Sequence, residues 1–289
     1  MPDETAIPFS KRFPMPPDEV IILFASIFVV FKIGGSVASA WLGDATVTVF
    51  EWLILALPVF VFVRLHGLSA QSSLRFRMPR LIAWPGAVLL ATGMIGAGVL
   101  MMALQDALLS EFGFYKTQME FWSSQLTAMT PGGLLVLSLT IGLTPAFCEE
   151  TLFRGLLLRG LAPMMRPLPL CILVGVLFGV FHGDVLQLVP ASIIGAVIAW
   201  LALVTNSILP GMLLHFLFNM TTLVARFLAG PEAAASAPSD PWQLALCAAL
   251  AVTLIPTAVL ILRPRREPGS AAPRPSAADA ITPQRGENA

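Results

Sequence analysis

The chain has 289 residues, of which 56% are hydrophobic and only 12% charged. That balance excludes an ordinary soluble domain and specifies an integral membrane protein. Lys plus Arg and Asp plus Glu number 17 each, so no basic surplus recruits nucleic acid, and the placement of each sign carries the information.

Residues 1–19 hold acids, bases and prolines and read as an N-terminal tail. The apolar stretch that follows is too long for a signal-peptide core, so the first span is expected to stay attached. Crossing ~30 Å of hydrocarbon takes ~20 apolar residues. Eight stretches qualify, at about 20–42, 47–64, 82–104, 132–158, 168–185, 187–204, 207–228 and 242–262. Lipid leaves no backbone group unpaired, and none of the stretches alternates as a barrel strand does. The predicted fold is therefore all-α, a polytopic bundle of about eight transmembrane helices with a polar site inside the membrane.

Lys32 in the first stretch and Glu51 in the second fall at similar depth, ~18 and ~20 Å from one face at the helical rise, and are expected to pair structurally. Basic residues then mark one side of the membrane. Lys11 and Arg12 precede the first stretch; Arg64, Arg75, Arg77 and Arg80 follow the second; Arg159 and Arg166 follow the fourth; Arg263, Arg265 and Arg266 follow the eighth. The other side receives Asp44, Asp106, Glu111, Glu120, Asp184, Glu232 and Asp240. Cytoplasmic loops retain Lys and Arg, which predicts both termini in the cytoplasm and an inner-membrane location. His66, beside Arg64, reads as solvated.

Residues 105–130 are too polar to span, yet Leu108, Leu109, Phe112, Tyr115, Met119 and Trp122 recur at helical spacing. They predict an amphipathic helix at the outer surface. Gly175 and Gly179 form a small-xxx-small pair that admits a close helix neighbour. Cys148, Cys171 and Cys247 lack metal-type spacing and read as small core residues. Residues 263–289, rich in Pro, Ala, Arg and Ser, read as a disordered tail.

The chemistry-bearing residues are those that lipid would reject. Glu149, Glu150 and Arg154 lie in the fourth stretch, His182 in the fifth, and His215 and Asn219 in the seventh. Charged residues at such depth face protein and mark functional pathways. Glu150 precedes Arg154 by four residues, the favourable order for an intrahelical ion pair, whereas Glu149 points ~100° away. Measured from one face, Glu149, His182, His215 and Asn219 sit at ~15, ~21, ~13 and ~20 Å, one polar layer. A carboxylate there suits general acid–base work. A glutamate can take a proton from water while one histidine holds that water, leaving the other histidine and Asn219 to donate to an oxyanion. The sequence has no H-E-x-x-H and calls for no cofactor. Glu149, His182 and His215 would supply three metal ligands if they converged, which keeps a divalent metal open as an alternative. Thr222 and Arg226 continue the His215–Asn219 face outward, where Arg226 reads as snorkelling to headgroups.

The motifs EETLFR from Glu149 to Arg154, FGVFH from Phe178 to His182, and HFLFN from His215 to Asn219 resemble those of the CPBP family of CAAX proteases and bacteriocin-processing proteins, also called ABI. The resemblance covers about 131–228. It implies a glutamate-dependent intramembrane endopeptidase acting on a membrane-associated protein or peptide. Glu149 and His182 would activate water, His215 and Asn219 would form the oxyanion site, and Glu150, Arg154 and Phe178 would support them. The chain then divides into a tail at 1–19, leading helices and interfacial segment at 20–130, catalytic core at 131–228, outer loop and last helix at 229–262, and tail at 263–289. A non-catalytic immunity or scaffold protein of the same fold is the alternative from another class.

Overall fold

A computed structural model describes residues 15–42, 45–124, 131–233 and 240–263, and all regular structure among them is helical. Helix α1 runs Pro17–Leu42, opened by Pro17, whose fixed φ suits a first turn, and by Asp18 and Glu19, whose charges favour the positive helix start. Helix α2 occupies 45–65 and α3 Ala83–Leu109, with a one-turn helix Ala70–Ser73 between them. Helix α4 is Gly113–Ser124, α5 occupies 131–161, α6 is Pro167–His182, α7 Val185–Thr205, α8 Leu209–Ala233 and α9 Pro241–Leu262. The eight apolar stretches read from sequence thus all become helices. Among the described residues, five segments are long and apolar enough to cross a bilayer: Thr48–Leu65, Ala83–Leu109, Gly132–Leu161, Val185–Thr205 and Pro241–Leu262; Pro167–His182 and Leu209–Ala225 are apolar but shorter.

Of the stretch expected as one interfacial helix, Leu108 and Leu109 belong to α3, a turn follows at 110–112, and α4 holds Tyr115, which is buried. Residues 125–130, the N-terminal tail through 14 and the C-terminal tail beyond 263 lie outside the described residues.

Two helices widen where proline requires it. A proline has no N–H for the carbonyl four residues back, and its ring presses on that carbonyl. In α2 the turn Glu51–Ala56 is π-helical and Pro58 follows; in α5 Ser138–Leu143 is π-helical and Pro145 follows. A third wide turn, Thr151–Leu157, follows Glu150 directly and carries Arg154.

Every residue of that third turn is buried, which makes α5 the centre of the bundle. Phe153 meets Phe24, Phe178 and Phe181 edge to face, with ring centroids 5.4, 5.0 and 5.3 Å away. Around this core, α6 and α7 approach closely because Gly175 and Gly179 face Ser192, Ala196 and the Leu188 carbonyl, with no room for a side chain. Gly183, at φ 70°, ends α6 in the left-handed conformation that glycine adopts without a Cβ penalty. Asp184 then starts α7 by accepting a 2.8 Å hydrogen bond from the Leu186 N–H. This tight reversal fixes His182 at the end of α6.

Candidate active site

Glu149 and Glu150 close the regular turn Thr144–Glu150 of α5. Glu150 and Arg154 are both fully buried and form the ion pair that their spacing predicts, Arg154 Nη1 donating to Glu150 Oε1 at 2.7 Å. Arg154 Nη2 donates to the Gly195 carbonyl of α7 at 2.7 Å, and its guanidinium lies over Phe178 at 4.6 Å. A buried charge persists only when paired and hydrogen-bonded, and both terminal nitrogens of this guanidinium are bonded, while Arg154 Nε and Glu150 Oε2 are buried without a partner among the described residues.

The pair has a second task that spacing within one helix does not reveal. His215 of α8, itself buried, places Nδ1 3.0 Å from Glu150 Oε1. That oxygen already accepts from Arg154 Nη1, and the imidazole Nδ1–H is its second donor. His215 Nε2 is thereby turned toward Glu149 Oε2, 3.9 Å away, outside hydrogen-bond distance but within reach of an ion pair. Gly211 permits the approach: a Cβ there would lie 3.3 Å from Glu150 Oε2. Arg154, Glu150, His215 and Glu149 therefore form one chain of charge across α5 and α8.

His182 reaches the same neighbourhood through Phe178, whose ring lies 4.8 Å from His182 and 5.7 Å from His215. Its Nδ1–H donates to the Phe178 carbonyl at 2.8 Å, which orients the ring and leaves Nε2 outside that bond.

Asn219 stands one turn beyond His215, and its Nδ2 donates to the Ile141 carbonyl at 3.0 Å. Ile141 is four residues before Pro145, so this carbonyl has lost the donor that a regular helix supplies. Asn219 replaces it, keeping one amide N–H for other work. The side chains of Thr222 and Arg226 lie outside the described residues.

Lys32 and Glu51 both lie where the charge of Glu149 acts on them. Lys32 also lies over the Phe181 ring at 5.4 Å, and a Cβ on Gly183 would come within 3.0 Å of its Nζ. Glu51 is buried at the start of the wide turn of α2, and neighbouring Trp52 stacks on Phe147 at 5.0 Å. These two residues border the site, which sequence reading had set apart from it. His66, read as solvated, is bound to Glu19 at 2.9 Å and donates from Nδ1 to Phe62. Among the described residues, no group of three or more His, Cys, Asp or Glu is arranged to hold a metal ion.

A helical membrane protein with a buried Glu, Arg and His network at the meeting of α5, α6 and α8 is the class that this geometry defines. Residues 131–221 match the family model described as type II CAAX prenyl endopeptidase Rce1-like. That segment contains every residue of the network and is similar over its length to the CPBP/CAAX protease family. No curated protein and no solved structure matches the chain significantly.

Proposed function

We propose that the protein is an intramembrane endopeptidase that hydrolyses a peptide bond in a membrane-associated protein or peptide, of CAAX-like, C-terminal sorting-tail or bacteriocin type, using water activated by Glu149 and His182. The observation that carries this reading is the pair of roles given to adjacent glutamates. Glu150 is fully enclosed and its Oε1 is held by Arg154 and His215; each glutamate has a buried Oε2 without a donor among the described residues, but only Glu149 retains exposure, 8%, and has no arginine partner. Glu149 is thus the carboxylate available to take a proton.

In this mechanism Glu149 removes a proton from a water that His182 Nε2 helps to hold, and the oxygen attacks the scissile carbonyl carbon. The carbonyl oxygen becomes an oxyanion, which accepts from His215 Nε2–H and from the remaining Asn219 amide N–H. With Nδ1 committed to Glu150, His215 donates from Nε2 only as the imidazolium. Glu149 then returns the proton to the departing amine as the C–N bond breaks. Both termini are placed in the cytoplasm and the chain in an inner membrane, on the basic residues that cluster at one set of span ends.

The test is cleavage of prenylated and unprenylated C-terminal tail peptides by the purified protein in detergent. Glu149→Gln and His182→Ala are each expected to lower kcat by about 10²–10⁴-fold, the range for a general base. Parental rates in Glu149→Gln would sink the proposal and favour a non-catalytic role for the fold. Activity that survives thorough chelation is the expected result; its loss on metal removal, with recovery on metal return, would replace this mechanism.

A further inference from the structure

Three arginines meet where three helix ends converge, away from the Glu149 layer. Arg75 lies between the spans Thr48–Leu65 and Ala83–Leu109, Arg159 stands at the end of Gly132–Leu161, and Asn206 follows Val185–Thr205. The contacts of Arg75 with Ala202 and of Arg77 with Asn206 bring the loop after Thr48–Leu65 against the end of Val185–Thr205.

Arg75 is 7% exposed and holds φ 60°, a left-handed conformation that a non-glycine residue keeps only where its surroundings fix it. The turn between α7 and α8 fixes it: Arg75 Nη1 donates to the Ala202 carbonyl at 3.3 Å, and its own carbonyl accepts from the Ile208 N–H at 3.2 Å. Arg77 is bound to the same turn, its Nε donating to Asn206 at 2.7 Å and its carbonyl accepting from Ser207 Oγ at 2.6 Å. On the other side Leu74 presses on α5, where a Cβ at Gly155 would come within 3.3 Å of the Leu74 Cβ. Arg159 follows Gly155 by four residues on that helix.

The charges that act on Arg75 are those of Arg159 and Arg77, and all are positive; burial, with these two neighbours, lowers Arg75 to about 10. Among the described residues no carboxylate pairs with Arg75, Arg77 or Arg159, and Arg75 Nε is buried without an acceptor. Enclosing one guanidinium beside two more is unfavourable unless an anion joins them. A planar guanidinium fork suits a phosphate, and span ends lie at the depth of lipid phosphates. We propose that Arg75, Arg77 and Arg159 form a phosphate-binding site at the membrane surface, open to the headgroup phosphate of an anionic lipid or to free phosphate.

The test uses the full chain in detergent, with lipid binding followed by native mass spectrometry and phosphate binding by thermal shift. Phosphatidylglycerol is expected to bind more tightly than phosphatidylcholine. Arg77→Gln and Arg159→Gln should each weaken phosphatidylglycerol about fivefold, the effect of one cation near an anionic headgroup. Arg80→Gln, an exposed arginine on the same loop, is expected to leave binding unchanged. Because Arg77 is exposed, its substitution reads the site without disturbing the core. Loss of phosphatidylglycerol binding with no response to inorganic phosphate assigns the site to lipid. A phosphate shift that Arg77→Gln abolishes assigns it to free phosphate as well. Equal affinity for both probes in the parent and in Arg77→Gln/Arg159→Gln would overturn the proposal, as would the same weakening in Arg80→Gln.

Discussion

Helix α3 meets α9 through the lack of side chains, whereas α5 meets α8 through charge. Along α3, Gly86, Gly93 and Gly96 leave space that Leu262, Ile255 and the Cys247 backbone fill. Between α5 and α8, Arg154, Glu150 and His215 are buried and joined by bonds of 2.7 and 3.0 Å. Lipid tails are as apolar as leucine, so in the first region association rests on close fit. The second accepts the desolvation of three ionisable groups, which packing does not require and chemistry does. The contrast separates what holds the bundle together from what the bundle is built to hold.

The largest expected effect breaks the charged region. Arg154→Met leaves Glu150 buried with only His215 as partner, and breaking such a pair costs roughly 3–5 kcal/mol. Thermal unfolding of the purified variant in detergent should show that loss. The double variant Arg154→Met/Glu150→Gln removes the stranded charge and should recover part of it. A double variant no more stable than the single one would show that Arg154 acts through packing on Phe178 and not through charge.

A smaller effect sharpens the apolar side. At Gly96 a Cβ would lie 2.6 Å from the Cys247 carbonyl oxygen, which is backbone; at Gly86 it would lie 2.6 Å from the end of the Leu262 side chain, which can rotate away. Gly96→Ala should therefore cost about 1–3 kcal/mol, the usual penalty of overpacking, and Gly86→Ala clearly less. Peptidase activity measured per folded molecule should be unchanged in both, since neither touches the α5–α8 network. Equal penalties at the two positions would mean that α9 moves as a rigid body.

Sequence spacing revealed part of each region. The Glu150–Arg154 pair was legible because both residues share one helix and one face. The seating of His215 on Glu150 was not, since it depends on how α8 crosses α5 and on Gly211 standing beside the carboxylate. Nothing in the sequence reading marked Pro145, and the bond from Asn219 to the Ile141 carbonyl needed the position of a helix 78 residues away. Lys32 and Glu51 illustrate the limit of depth arithmetic. Equal depth in neighbouring spans put both residues in one layer, but depth leaves rotation about the helix axis free, so it did not reveal that both lie within the field of Glu149. The glycines of α3 were readable as small residues; their partner was not, because apolar helices carry no mark of which neighbour they fit.

The smallest effect lies at the end of α3, where the glycine-fitted region acquires a polar fastening. Tyr115 of α4 donates to Asp106 Oδ1 at 3.1 Å, and its phenol is pushed from 10.0 up to about 12, first by burial and then by that hydrogen bond. Below pH 10 folded and unfolded chains both keep the proton. Between pH 10 and 12 the unfolded chain loses it while the folded chain holds it, so this group's contribution to stability declines as pH rises. Arg75, lowered to about 10 in the folded chain, works in the opposite direction over the same range. Only the difference between parent and variant therefore isolates the tyrosine. Tyr115→Phe should cost about 1 kcal/mol at pH 8, the net value of one hydrogen bond, and the cost should shrink between pH 10 and 12. A cost that stays constant with pH would place the effect in ring packing and leave the α3 end as apolar as its glycine seam.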